Sequence, residues 1–205
     1  MVREYAKSPA VRRSIIEACS AAFRESGFQG ASMAEIARRA GISHTGLLYH
    51  FPRKESLLTA VLALQDERGE RFLHDHALLD HHANDPAAIL RGIVTALVER
   101  HRYAGLLELS AMLGGEATHP THPAHAYFAQ RYHDVRGFLT RLFAALDDQG
   151  RLTTAMSPVH LAATTIAVTD GLNSQWLYAR EELDVDAIVH GFLASIVADI
   201  DAQTP

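Results

Sequence analysis

The chain has 205 residues, of which 48% are hydrophobic and 21% charged, so it is a folded protein of one or two domains and not a disordered chain. It has no apolar run of about 18 residues and no charged-then-apolar leader, and we expect a cytoplasmic protein without a membrane segment. The single cysteine, Cys19, excludes an internal disulfide and agrees with a reducing compartment.

The net charge of −5 is unevenly distributed along the chain. Residues 1–54 hold nine Lys and Arg against four Asp and Glu, and residues 55–205 hold ten against twenty. This asymmetry predicts a basic module that binds nucleic-acid phosphates and an acidic remainder.

The first predicted helix runs from Pro9 to Ser26 and ends at Gly27. Its apolar stripe includes Ile15 and Cys19 at helical spacing, which makes the cysteine a core residue. We expect this helix to support the two short helices that follow it.

Those two helices lie within SMAEIARRAGISHTGLLYHFPRK, residues 32–54. Ser32 and Glu35 have the spacing of a capping box, in which the serine caps the helix and the glutamate bonds back to the cap. Gly41 is the residue type that closes a helix, Ser43 caps the next one, and Pro52 stops it. A capped pair joined by so short a turn predicts a helix-turn-helix unit whose second helix enters the DNA major groove.

The same stretch resembles the TetR family of one-component transcriptional regulators. The family signature is similar to A-G-[VI]-S-x-x-x-L-[YL]-x-H-F-x-x-K-E, although Tyr is more common in the family where Leu48 stands here. The matching residues are Ala40, Gly41, Ile42, Ser43, Leu47, His50, Phe51, Lys54 and Glu55.

We predict that the outward side of the second helix contacts bases and that Ser32 and Lys54 grip phosphates. Gly46 permits a close approach to DNA, and the positive end of the helix beginning at Lys54 favours a phosphate. The predicted DNA-binding residues are Ser32, Arg38, Ser43, His44, Thr45, Gly46, Tyr49, His50 and Lys54.

The remainder reads as further helices, without strand alternation or internal repeats. The resemblance implies an all-α fold with a three-helix helix-turn-helix DNA-binding domain at residues 1–54 and a helical effector-binding and dimerisation domain at residues 55–205. The predicted helices cover Lys54 to about His74, Pro86 to about Arg102, Leu106 to Gly114–Gly115, Tyr127 to Gly150, Pro158 to Trp176 and Asp184 to Ile200, with a loop at Thr118–Pro123.

The apolar stripe of the last helix is too wide for one neighbouring helix to cover. It therefore predicts a homodimer with a four-helix interface, and TetR-like regulators pair through their final two helices. The alternative is a terminal helix buried within its own domain. The predicted interface residues are Leu161, Thr165, Val168, Leu172, Val185, Val189, Phe192 and Ile196.

These features together predict a homodimeric repressor that is released from a pseudo-palindromic operator by a small apolar or aromatic effector. We expect no cofactor. The effector pocket would be lined by residues of the second domain, and for each of them packing in the hydrophobic core is the alternative interpretation. The predicted pocket residues are Tyr103, Leu107, Met112, Phe128, Tyr132 and Trp176.

The same sequence allows three other interpretations of its function. His119, His122 and His125 recur every three residues and suggest a metal site. Pro120 and Pro123 hold the segment extended or turning, so the rings need not converge and we expect no bound metal. A metal-dependent helical hydrolase would use these histidines, yet the sequence has no phosphate loop and no nucleophile elbow, and we expect no enzyme. An architectural DNA-binding protein without an effector is the third reading.

Overall fold

The computed structural model describes residues 9–75, 85–98 and 100–200, without the side chains of residues 68–75, 93–98, 100–103 and 106. This part of the chain is helical and contains no strand, only an isolated bridge between Leu152 and Val197. The predicted all-α fold is confirmed. The helices are α1 (Pro9–Gly30), α2 (Met33–Arg39), α3 (His44–His50), α4 (Lys54–Asp75), α5 (Pro86–Val98), α6 (Arg100–Glu116), α7 (His125–Asp148), α8 (Pro158–Tyr178) and α9 (Val185–Ile196).

The chain divides into two compact units. The first comprises Met1–Gly69 with Glu108–Phe128, and the second comprises Glu70–Leu107 with Ala129–Pro205. The first unit is thus larger than residues 1–54, because the start of α4 and the end of α6 share its core. The predicted division of function between residues 1–54 and 55–205 stays a prediction.

The core of the first unit forms around the apolar stripe of α1. Phe23 and Ile15 are fully buried there, together with Leu47 of α3 and Leu57 of α4. Leu113 of α6 completes the same cluster. The short helices α2 and α3 are therefore fixed on three longer helices, which is what such short segments need in order to be stable.

Helix α1 is interrupted where the sequence predicted its end. Gly27 has a φ of +69°, a left-handed conformation that glycine adopts without strain, and the helical turn after it reaches Gly30. A Cβ at Gly27 would collide with the carboxylate of Glu116. Glycine is required at this position for both reasons.

The second unit has its own core, built from α5, α7, α8 and α9. Phe143, Leu146 and Leu161 are fully buried in it, and Trp176 is nearly so. Side-chain caps begin three of these helices. Ser157 and Asp184 accept from backbone N–H groups of α8 and α9, and Asp85 accepts from Ala87 N at the start of α5.

Several predicted helix boundaries differ from the structure. Helix α6 runs from Arg100 through the predicted gap between about Arg102 and Leu106, continues past Gly114–Gly115 and ends at Glu116, and α9 ends at Ile196. The ring of Phe128 packs against Gly114 of α6, 3.6 Å from where a Cβ would stand. Beyond α9 the chain turns to pair with the segment after α7, where Ala198 N donates to Arg151 O at 2.8 Å.

No helix in the described ranges is both long enough and apolar enough to span a membrane.

Candidate nucleic-acid interface

The ends of α2 and α3 are fixed by the capping residues that the sequence predicted. Ser32 Oγ accepts from Glu35 N at 3.2 Å, and Ser43 Oγ accepts from Gly46 N at 3.0 Å. Gly41, with φ +69°, turns the chain between them. The reciprocal half of the capping box is wrong, however, because the Glu35 carboxylate binds Arg38 and Arg39 instead of the cap backbone.

Helix α3 presents one buried side and one exposed side. Leu47 is fully buried in the first core, whereas His44 and Thr45 are exposed and Tyr49 is 60% exposed. In a helix, residues three and four apart are neighbours, so these exposed side chains form one surface. We call the surface formed by His44, Thr45, Leu48 and Tyr49 the reading face.

Gly46 and His50 lie to the side of the reading face. A Cβ at Gly46 would stand 3.2 Å from Ser43 Oγ, so the glycine leaves room for the cap as well as for a ligand. The ring of His50 meets that of Tyr49 edge to face, with centroids 5.5 Å apart. This contact limits the orientations that the exposed tyrosine can adopt.

Hydroxyl groups at two helix starts retain a donor. Ser32 and Ser43 use an oxygen lone pair for their caps, and each hydroxyl hydrogen remains able to donate to a phosphate. Both residues are exposed. The phosphate contact predicted for Ser32 and the direct DNA contact predicted for Ser43 both stay predictions.

Arg38 and Arg39 are held by carboxylates. Arg38 contacts both oxygens of Glu35 at 2.8 and 2.7 Å, and Arg39 contacts Glu35 at 2.7 Å and both oxygens of Glu25 at 2.8 and 2.6 Å. Hydrogen bonds from Arg38 and then Arg39 lower the pKa of Glu35 to about 2. The guanidinium of Arg38 is largely exposed. To contact DNA it must either leave the Glu35 carboxylate for a phosphate or base, or bind both at once.

Lys54 makes contacts that the sequence did not reveal. Its Nζ donates to Ala31 O at 2.9 Å and to Gln29 O at 3.3 Å, and it lies 4.6 Å from the centroid of the Phe28 ring. The ammonium has three N–H donors, so one remains for a phosphate. Lys54 therefore holds the segment between α1 and α2 in addition to its predicted role, which stays a prediction.

Two arginines close to the end of α3 were missing from the prediction. Arg53 lies between α3 and α4, is exposed, and has no hydrogen bond or ion pair from its guanidinium among the described residues. Arg12 of α1 lies over the Phe51 ring at 4.3 Å. The position of Arg53 next to Lys54 in the sequence could have indicated a role in DNA binding. Arg12 could not be identified in this way, because it meets Phe51 only in the folded chain.

The last turn of α1 is also held from α6. The Glu116 carboxylate accepts from Phe28 N at 2.6 Å, and the ring of His122 meets that of Phe28 at 5.1 Å. Phe28 itself is nearly fully buried, so its N–H depends on this carboxylate for a partner. We call this arrangement of Glu116, His122 and Phe28 the loop clamp.

The three histidines of the suspected metal site do not share a site. His119 Nδ1 contacts Thr121 Oγ1 at 2.9 Å, His122 Nδ1 accepts from Ala124 N at 3.2 Å, and His125 Nδ1 contacts Ala117 O at 2.8 Å. Across the described ranges, no group of three or more metal-binding side chains comes together. The other histidine-rich segment, at residues 76–84, lies outside the described residues.

The predicted effector-pocket residues are divided between the units. Met112 and Phe128 belong to the first unit, and Leu107, Tyr132 and Trp176 belong to the second. The side chain of Tyr103 lies outside the described residues.

Within the second unit, Leu107 packs on the core that contains Trp176. Tyr132, by contrast, is exposed and donates to Asp170 Oδ2 at 2.8 Å. The pKa of Tyr132 is raised to about 12, mainly by partial burial and secondly by this hydrogen bond to Asp170.

Most predicted interface residues are covered by their own unit. Leu161, Thr165, Leu172, Val185, Val189 and Ile196 are all buried in the second unit. These six side chains pack within their own chain. Their place in a dimer interface stays a prediction, as does the alternative of a terminal helix buried in its own domain. Only Val168 and Phe192 of the predicted set are partly exposed.

Comparison with known families gives two matches along the chain. A family model described as "Bacterial regulatory proteins, tetR family" matches residues 15–61. A second, described as "BetI-type transcriptional repressor, C-terminal", matches residues 86–198. The first match contains α2, α3 and the start of α4, and the second spans more than half of the chain.

Individual relatives are similar to this chain over part of its length. The HTH-type transcriptional regulator RutR of Escherichia coli K12 is 45% identical over 53 residues, which are 26% of this chain and 25% of RutR. The HTH-type transcriptional regulator BetI of Yersinia pestis is 41% identical over 86 residues, or 42% of each protein. The matched part is thus less than half of either relative.

The solved structures extend the likeness of fold to almost the whole chain. AibR, crystallised with isovaleryl coenzyme A and operator DNA, has a TM-score of 0.74 at 21% identity, over 91% of this chain and 98% of AibR.

Proposed function

The chain belongs to the tetR family of bacterial regulatory proteins, and on this premise we propose that it is a homodimeric, sequence-specific repressor that a small-molecule effector releases from DNA. The observation that carries the proposal is the reading face, where a doubly capped helix buries Leu47 and exposes His44, Thr45 and Tyr49. The proposed role requires no catalytic group.

The reading face has the chemistry needed for the major groove. Thr45 and His44 can donate to or accept from base edges, and the Tyr49 hydroxyl can do the same or reach a phosphate. Ser32, Ser43 and Arg53 would grip the backbone beside them, since each has a donor to offer. Phosphate contacts of this kind give affinity, whereas the reading face gives sequence preference.

We propose a dimer that uses exposed apolar side chains of the last helices. Val159 and Ile188 are exposed, and Val168 and Phe192 are partly exposed. A two-fold dimer would read two half-sites about 34–36 Å apart, or at a related spacing, and the operator would be a pseudo-palindrome.

We propose that an effector changes DNA affinity through the second unit. AibR is a relative by fold whose structure contains both a coenzyme A thioester and operator DNA, which supports the pairing of these two ligand classes in this architecture. A coupling of about 1–3 kcal/mol between effector and DNA would change operator affinity about 5- to 150-fold. An apolar or aromatic effector fits the side chains predicted for the pocket.

The experiment that tests this proposal is selection of bound sequences from random double-stranded DNA at a fixed salt concentration. We expect a pseudo-palindromic motif and a complex of two chains per duplex, measured by light scattering. Binding without a motif that disappears at moderate salt would contradict sequence-specific regulation and favour the architectural reading.

A further inference from the structure

Leu48 is an exposed apolar residue in the centre of the reading face. It is 38% exposed, whereas its neighbour Leu47 is completely buried. Among the described residues, Leu48 belongs neither to the first core nor to the side chains that pack against it. Packing in the first unit therefore does not account for a leucine here.

The neighbours of Leu48 on the helix are two polar side chains. His44 lies four residues before it and Thr45 three residues before it, so both flank Leu48 on the same helical surface. A single exposed leucine is ordinary on a protein surface, but this one lies between side chains that would face base edges. A helix that presents His44 and Thr45 to the major groove presents Leu48 to it as well.

The chemistry of the groove restricts what a leucine can recognise. Leu48 has no donor or acceptor, and the one apolar group that a base pair displays in the major groove is the C5 methyl of thymine. We propose that Leu48 reads a thymine in each half-site through contact with this methyl group. The inference rests on the proposed function, because it requires that α3 reads DNA.

The contact should have a modest and measurable effect. Removing one methyl-sized group from an apolar contact costs about 0.8 kcal/mol, which is about a fourfold change in affinity. Polar base contacts, each of which changes affinity about 5- to 150-fold, would still set most of the sequence preference. Leu48 thus adds selection for thymine at one position.

The experiment replaces thymine by deoxyuridine, which removes only the methyl group and keeps base pairing. Each thymine of the selected sequence is replaced in turn, and affinity is measured for wild type, Leu48→Ala, Leu48→Met and Val135→Ala. Val135 is a control of matched exposure, since it is 40% exposed and lies in the second unit. Alanine is the best helix former, so the shortened variant keeps α3 intact.

We expect wild type to lose about fourfold in affinity per half-site at one thymine position. Leu48→Ala should bind thymine and deoxyuridine equally there, whereas Leu48→Met and Val135→Ala should keep the loss. A merely structural role would weaken binding to both bases and leave the ratio unchanged.

Three results would overturn the inference while the proposed function stands. These are a selected half-site without thymine, a wild type that is indifferent to every methyl group, or a Leu48→Ala variant that still discriminates. If wild type selects no sequence at all, the proposed function fails together with the inference, so the two failures are distinguishable.

Discussion

Replacing Lys54 by Met tests whether the ammonium holds the segment between α1 and α2. Methionine keeps an apolar stem beside the Phe28 ring but removes the charge that donates to Ala31 O and Gln29 O. Family resemblance alone assigns Lys54 to phosphate binding, for which stability should not change. The structure adds a second role with a different readout.

The expected loss of stability follows from the better of the two hydrogen bonds. The bond to Ala31 O is part-buried and 2.9 Å long, whereas that to Gln29 O is exposed and 3.3 Å long. A bond from a charged donor contributes about 1.5–3 kcal/mol, and we count only the first, which gives about 2 kcal/mol. For a chain of this size the thermal midpoint should fall by about 4–8 °C.

Arg53→Ala is the matched control, because it removes the adjacent cation, whose guanidinium has no partner in the described part of the chain. Its midpoint, followed by far-UV circular dichroism, should stay within about 2 °C of wild type. Its affinity should fall for all DNA sequences, with the salt slope reduced by about one. A Lys54→Met variant as stable as wild type, or an Arg53→Ala variant equally destabilised, would refute the reasoning.

Three further predictions concern buried or paired groups. Glu116→Ala should cost about 2 kcal/mol in urea unfolding because it leaves Phe28 N without an acceptor, whereas Glu116→Gln should retain most stability; equal losses would contradict the loop clamp. The pKa of Glu35 is lowered from 4.5 to about 2, so its pairing with arginine stabilises the fold above pH 4.5, and this stabilisation is lost as the pH falls towards 2. The thermal midpoint of Glu35→Gln should therefore fall less steeply than that of wild type over this range. If the midpoints of the two proteins fall in parallel, the pairing does not contribute. Burial raises the pKa of Cys19 to about 12, so a disulfide reagent at pH 8 should label it only after denaturation, and rapid labelling of native protein would show that the site is open.

The helix-turn-helix was predictable because its signals are local. Ser32, Gly41 and Ser43 act on backbone groups within three residues, so their spacing alone determines where α2 and α3 begin and end. The same holds for Ser157 and Asp184 at the starts of α8 and α9.

Contacts between distant segments were not predictable from spacing. Glu116 lies 88 residues from Phe28, and no local pattern indicates that its carboxylate caps that N–H. A local choice was also not predictable: Glu35 could bond to the cap backbone or to Arg38 and Arg39, three and four residues on, and spacing alone does not decide between them.

The interface residues show a different limit of sequence reasoning. An apolar stripe such as that of α9 indicates that a surface is covered but not which chain covers it. Val189 and Ile196 of α9 are buried within the second unit, whereas Ile188 of the same helix is exposed. Only the folded packing distinguishes these cases.

The central claim, that α3 reads DNA sequence, is tested most directly by comparing motifs selected from random DNA by wild type and by Thr45→Ala. Thr45 is exposed on the reading face and has no part in the core, so the variant should fold normally. The account predicts a pseudo-palindrome for wild type and, for Thr45→Ala, relaxed preference at the same position of each half-site, with the salt slope unchanged. An identical motif, or an equal loss of affinity on every sequence, would contradict it.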